Sequence, residues 1–202
     1  MRNILAFMAG IAVAAMLLVG FTPKNEPFFE QQMRAEAIPT VRLVTASMAG
    51  SCSAVVVAPG YALSAQHCSV LPGMKVDGHA VAKISAFSTK DVILLDVPGL
   101  ECPCAPVAMT DAAPGERVAA VGFPYGMGPL MTYGESQGNV YFEGEQYVLH
   151  TAGTSPGMSG GGVFVIRGGR VFLAAITSRS SDAGLVALSV NAAGLAPQLE
   201  DL

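Results

Sequence analysis

Charge is scarce in this chain. Lys, Arg, Asp and Glu together make up 13% of its 202 residues, against 51% hydrophobic. The few charges sum to −4, which excludes the basic footprint that a nucleic-acid partner requires. Histidine is scarcer still, with only His67, His79 and His150. That is too few, beside four cysteines, to complete a zinc set. No calcium loop or cofactor motif occurs, so neither a metal nor a cofactor is expected. A long amphipathic helical pattern is also missing, which argues against a helix bundle or a doubly wound α/β fold. Glycine and proline, by contrast, are plentiful, at 23 and 13 residues. They suit many short strands joined by tight turns, and an all-β fold is predicted.

Three segments follow from the hydropathy. Ile4 to Phe21 is an unbroken apolar run of 18 residues behind a single positive charge, Arg2. As a helix it would span about 27 Å, close to a bilayer core. Residues 1–21 are therefore a cleaved signal peptide or an uncleaved membrane anchor. The run exceeds the usual apolar core of a signal peptide, and no small-x-small site stands directly behind it, which favours the anchor. Arg2 and the amino terminus precede the run, while Glu26 and Glu30 offset Lys24 behind it. The rest of the chain is thus expected outside, exported, either secreted or tethered. Residues 22–39, with Pro23, Pro27, Pro39 and the pair Phe28-Phe29, read as a linker. Residues 40–202 are enough for one domain with a substantial core. Four cysteines fit an oxidising compartment.

The chemistry concentrates in three places. Pro156-Gly157-Met158-Ser159-Gly160-Gly161 sets a serine among glycines, which lack a Cβ and let backbone approach a ligand closely. An acyl-transfer nucleophile needs that exposure, with backbone N–H groups converging on the oxyanion. Upstream, Ala54–Ala58, Pro59-Gly60 and Tyr61–Leu63 read as strand, turn, strand, and His67 follows. Asp91 opens the apolar run Val92–Leu95, whereas its rival Asp96 lies at the exit. A serine needs a base, and the base needs a partner that fixes its tautomer. His67, Asp91 and Ser159 supply these in chain order. Gly157–Gly161 also fits the Gly-x-Ser-x-Gly elbow of the α/β-hydrolases. That fold requires a histidine after the serine, and none occurs beyond His150. No lysine stands near Ser159 to form a Ser–Lys dyad. His79 and His150 read as structural, and Asp77 as a turn residue before Gly78.

At these residues the chain resembles the trypsin-like serine proteases of the chymotrypsin fold, and within them the bacterial high-temperature-requirement (Deg-type) enzymes. Ser51 to Cys68 is similar to the histidine region, and Gly157–Gly161 to the nucleophile loop. Gly115–Val118 followed by Val121–Gly126, and Ala174–Ser178, match further stretches. The likeness covers roughly residues 40 to 197. It implies two six-stranded antiparallel barrels, about 40–108 and 109–202, with the active site between them. It implies Ser159 as nucleophile, His67 as base, Asp91 as its orienting partner, and the N–H groups of Gly157 and Ser159 as oxyanion hole. Ser178, Arg179 and Ser180 would form the strand edge that pairs with substrate, and Arg179 would restrict the cleft. Gly153 and Thr177 would line the specificity pocket. Neither offers charge, so a small or apolar P1 residue is expected. Cys52 and Cys68 would bridge beside His67, as in trypsin-like relatives.

Three departures accompany the resemblance. Met158 stands where many members carry Asp or Asn, so activation by an ion pair to a new N-terminus is not expected. The spacing of 24 residues from His67 to Asp91 implies clipped loops. No PDZ module follows the domain in this sequence. Cys102-Pro103-Cys104 reads as a loop with free or intermolecular thiols, because cysteines one residue apart bridge each other only with strain. The expected activity is that of a serine endopeptidase acting on protein or peptide. The rival is an inactive relative that binds peptides in the same cleft, and the orientation of the peptide bond at Gly157 separates the two.

Overall fold

The computed structural model describes residues 28–47, 50–70, 72–87, 90–181, 186–199 and 202. The expected signal or anchor, 1–21, lies outside them. Among the described residues no helix is long and apolar enough to cross a membrane.

The linker expected over 22–39 is corrected in its second half. Phe28–Glu36 is an α-helix, α1, followed by a 3-10 turn at Ile38–Thr40. The stretch between Pro27 and Pro39 holds no proline or glycine and is rich in good helix formers, so nothing interrupts it. Met33 and Ala37 are fully buried. Gln32 Nε2 donates to Gly169 O at 2.6 Å, and Val171 N–H to the Glu36 carboxylate at 3.3 Å. The compact unit accordingly begins at Gln32 rather than at 40 and runs to Leu202.

Its first half is a seven-stranded antiparallel sheet in the order β5-β4-β1-β2-β3-β7-β6. The strands are β1 Val41–Thr45, β2 Ser51–Ala58, β3 Tyr61–Ser64, β4 Lys75–Val76, β5 His79–Ala80, β6 Lys83–Ala86 and β7 Ile93–Asp96. The β2–β3 hairpin turns at Pro59-Gly60, where Gly60 takes φ +80°. The β4–β5 hairpin turns on Asp77 and Gly78, both left-handed at φ 49° and 84°, as a two-residue connection between twisted strands demands. The pattern of apolar residues decides the inner face. Val44, Ala54, Val56, Ala62, Ile93 and Leu95 share one buried cluster.

The second half closes into a six-stranded antiparallel barrel, β10-β13-β12-β11-β8-β9. Its strands are β8 Arg117–Gly122, β9 Leu130–Phe142, β10 Glu145–His150, β11 Gly162–Arg167, β12 Arg170–Ser180 and β13 Ala187–Asn191. A short helix, α2 Ala196–Leu199, follows. Val118, Ala120, Val148, Met158, Val163 and Ala174 fill the interior. A closed barrel beside a half-barrel sheet is the chymotrypsin-like double-barrel plan.

All four cysteines are paired. Cys52–Cys68 forms as expected, with Cα atoms 6.4 Å apart. Cys102 and Cys104 are also bonded to each other, so the expectation of free or intermolecular thiols there is corrected. Pro103 sits at the corner between them, and the chain turns tightly enough to bring their Cα atoms to 4.5 Å, inside the range a bridge tolerates.

Candidate active site

His67 sits in a 3-10 turn, Gln66–Val70, directly after β3. The Cys52–Cys68 bridge fastens that turn to β2. Asp91 precedes β7, the neighbour of β3 in the sheet. Strand pairing thus carries the two residues to the same edge. Asp91 Oδ2 lies 2.8 Å from His67 Nδ1, and Asp91 Oδ1 accepts the His67 backbone N–H at 2.9 Å. Ser178 Oγ, on β12, donates to Asp91 Oδ2 at 2.5 Å. Burial alone would raise the Asp91 pKa. The bonds from the His67 ring, from Ser178 and from the His67 backbone outweigh it and hold the carboxyl below its ordinary range. Asp96, the alternative acid, pairs instead with Tyr61 and Lys83 in the sheet register.

The loop that carries Ser159, the expected nucleophile, is assembled between the two sheets by backbone bonds. Gly160 N–H donates to Thr177 O at 2.7 Å, and Thr177 N–H to Gly161 O at 2.8 Å, fixing the loop to β12. Ser53 N–H donates to Ser159 O at 2.7 Å, fixing it to β2. Gly160 is left-handed at φ +82°, and a Cβ there would collide with Ser53 O, Ser64 Oγ and Ala65 N. Glycine is required by space as well as by conformation.

The peptide at Gly157 has a defined orientation. Pro156 O accepts from Tyr125 N–H at 2.8 Å, and the described peptide bonds are all trans. The Gly157 N–H therefore points away from the Phe123–Tyr125 segment. Among the described residues neither Gly157 N–H nor Ser159 N–H has a protein acceptor, whereas the Met158 N–H between them is taken by Ser155 O at 3.0 Å. Met158 is wholly buried in the barrel interior, so an apolar plug, not an ion pair, seats this part of the loop. Ser159 Oγ forms no hydrogen bond to His67 among the described residues. Such bonds often tighten only when substrate binds.

A cleft of about 340 Å³ opens beside His67 and Asp91, bordered by Tyr147, Ser178 and Arg179. Arg179 was expected to restrict the cleft. Its guanidinium is drawn to the tip of the β9–β10 hairpin, bonding Glu143 at 2.6 Å with the Phe142 ring 5.5 Å away. Ser180 lies exposed on the same strand end. Ser178 was expected only as part of the substrate-pairing edge, yet its side chain serves Asp91. Thr177 is buried opposite Ser189 in the register, and Gly153 O accepts from Thr132 Oγ1 at 2.6 Å. His150, fully buried, faces Ser189 Oγ at 2.8 Å, and burial pushes its pKa down to about 4. Among the described residues no three His, Cys, Asp or Glu side chains gather where a metal could bind. Sequence reading missed Ser53 and the Phe123–Tyr125 segment as parts of the site, because their role lies in contacts between distant segments.

A histidine paired to a carboxylate on one β-lobe, with a glycine-framed serine loop bonded to strands of both lobes, fits the layout of a serine peptidase. The family model described as the trypsin-like peptidase domain matches residues 52–172. The chain belongs to that family, and with it to the serine endopeptidases. No curated protein matches the sequence. Among solved structures, the active form of the Rv3671c protease from M. tuberculosis is similar at 18% identity and TM-score 0.70, over 87% of this chain and 86% of that one. The HtrA-type protease AlgW with a bound tripeptide is similar at 21% identity and TM-score 0.71, over 84% of this chain and 62% of that one. The serine endoprotease from Yersinia pestis is similar at 21% identity and TM-score 0.70, over 87% and 66%. The chain thus spans under two thirds of AlgW and just under two thirds of the Yersinia enzyme.

Proposed function

We propose that this chain hydrolyses peptide bonds through an acyl-enzyme formed on Ser159. The single observation that carries the reading is the two-point hold of Asp91 on His67, at the ring nitrogen and at the backbone N–H. A carboxylate on Nδ1 fixes that nitrogen as the protonated one and leaves Nε2 as the base. In this reading Ser159 Oγ attacks the scissile carbonyl carbon as His67 Nε2 takes its proton. The oxyanion is received by the N–H groups of Gly157 and Ser159, whose lack of protein acceptors supports that role. The protonated His67 then gives its proton to the leaving amine, and the C–N bond breaks. Water, deprotonated by the same ring, releases the acid product.

Substrates are proteins or peptides, in keeping with the peptide bound in the similar AlgW structure. Gly153 and Thr177 favour a small or apolar P1 residue, and Ser178 to Ser180 supply the strand edge for substrate backbone. The domain organisation proposed is a targeting segment, 1–21, ahead of a catalytic unit that begins at Gln32, within α1. Paired cysteines support an oxidising, exported location, reached through that segment and secreted or tethered by it.

The peptide-binding alternative is less well supported, because it would favour a Gly157 N–H turned from the cleft, and the Tyr125–Pro156 bond is against that. Fluorophosphonate labelling of the oxidised protein beside Ser159→Ala decides between them. Labelling in the parent alone is expected. Labelling in neither would establish the binding module.

A further inference from the structure

Ser53 stands at the centre of the contacts that hold the nucleophile loop. It lies on β2 and is completely buried, although a serine between Cys52 and Ala54 carries no obvious signal. Its hydroxyl makes two bonds of 2.8 Å, accepting from Phe123 N–H and donating to Gly157 O. Its own backbone N–H reaches Ser159 O at 2.7 Å. Its carbonyl accepts from Ser64 Oγ at 2.7 Å, three residues before His67.

Each carbonyl that frames the proposed oxyanion donors therefore has a fixed partner. Pro156 O is held by Tyr125, Gly157 O by the Ser53 hydroxyl, Met158 O by Gly161 N–H and Ser159 O by the Ser53 backbone. The Tyr125 bond depends on the segment that Ser53 anchors through Phe123 N–H. One hydroxyl thus bears on both peptide planes that flank Gly157, directly on the one carrying Met158 N–H and through Phe123 on the one carrying Gly157 N–H. The space is closed as well, since a Cβ on Gly157 would crowd Phe123 O and Tyr125 N at 2.5 and 2.6 Å.

We infer that Ser53 is a positioning residue for the oxyanion donors: its hydroxyl holds Gly157 O directly and, through Phe123 N–H, the segment whose Tyr125 N–H fixes Pro156 O and with it the peptide that carries the Gly157 N–H. With Met158 an uncharged plug, these bonds do the orienting that an ion pair at position 158 would otherwise do. The inference rests on the serine-protease reading. Without the hydroxyl, Gly157 O and Phe123 N–H lose their buried partner, the Phe123–Tyr125 segment loses its anchor, and the Pro156–Gly157 peptide that it holds is released to turn.

The test is saturation kinetics of fluorophosphonate labelling on the oxidised full chain, for the parent, Ser159→Ala and Ser53→Ala, with thermal melting of each. The expected result is a maximal labelling rate lowered by at least about tenfold in Ser53→Ala, below the roughly 10²–10³ of losing an oxyanion donor outright because the donor is misplaced and not removed. The half-saturating probe concentration should stay unchanged. A merely structural serine would lower melting temperature without that split. If Ser53→Ala does not fold, Ser53→Cys carries the test, because its thiol fills the site but donates and accepts weakly. Parental labelling rates in a folded Ser53 variant overturn the inference while leaving the protease reading intact. No labelling of the parent removes the reading, and the inference falls with it.

Discussion

Ser178 Oγ donates to Asp91 Oδ2 at 2.5 Å across 87 residues of sequence, joining a strand of the second barrel to the acid of the first lobe. The acid thus depends on both halves of the molecule. Asp91→Asn should leave the fold intact and cut labelling by about 10⁴-fold, since the neutral amide favours the wrong imidazole tautomer. Ser178→Ala keeps the His67 bonds and should cost about tenfold. Labelling rates beside melting curves check the order.

The same contacts predict an acid limit to stability. Asp91 has a folded pKa below its ordinary 3.8. Its ionised form favours the fold fully above the unfolded value, and that contribution disappears as pH falls through the folded one. The melting-temperature gap between the parent and Asp91→Asn should therefore be constant near neutrality and shrink below about pH 4. A gap unchanged down to pH 2 contradicts this.

His150 acts over a higher window. Its pKa drops from 6.5 to about 4 on burial. The unfolded chain binds the proton first, so stability is full above pH 6.5 and falls as acidity increases towards 4. Each unit of difference is worth about 1.4 kcal/mol. His150→Gln should flatten the slope of melting temperature across that interval, whatever it does to the plateau.

Arg167 tests the value of geometry in the barrel wall. Its Nε and Nη2 bond both Glu116 oxygens at 2.8 and 2.7 Å, and its Nη1 reaches Thr110 O at 2.9 Å. Lysine keeps the charge but not the fork. Arg167→Lys should destabilise by about 2 kcal/mol, with labelling of the folded protein unaltered. Urea unfolding measures it.

Gly160→Ala should abolish labelling in any protein that still folds. The added carbon meets Ser53 O and Ala65 N, which are backbone and cannot swing aside. Circular dichroism with labelling checks both halves of that statement.

The sequence made the β-strands legible where apolar residues alternate or run, as in β2, β3 and β7, and where Pro59-Gly60 and Asp77-Gly78 punctuate them. It singled out His67, Asp91 and Ser159 as candidates because acyl-transfer chemistry demands particular residue types in particular surroundings, and the structure pairs the first two. What stayed hidden depends on contacts between remote segments. A buried serine on a strand does not announce that its hydroxyl meets Gly157, 104 residues away. Arg179 does not announce its carboxylate on a hairpin 36 residues back. The helix at Phe28–Glu36 was obscured by flanking prolines, which mark its ends rather than forbid it.

The Cys52–Cys68 bond joins the immediate neighbours of Ser53 and His67. A single covalent link therefore ties the proposed anchor of the Gly157–Ser159 loop to the proposed proton acceptor. Closing a loop of this size is worth about 3 kcal/mol in chain entropy, but its place matters more than its magnitude. Only oxidised thiols add that covalent fastening to the hydrogen bonds between β2 and β3. Timing is thereby written into the chain: a polypeptide whose thiols are still reduced lacks one fastening, and oxidation supplies it.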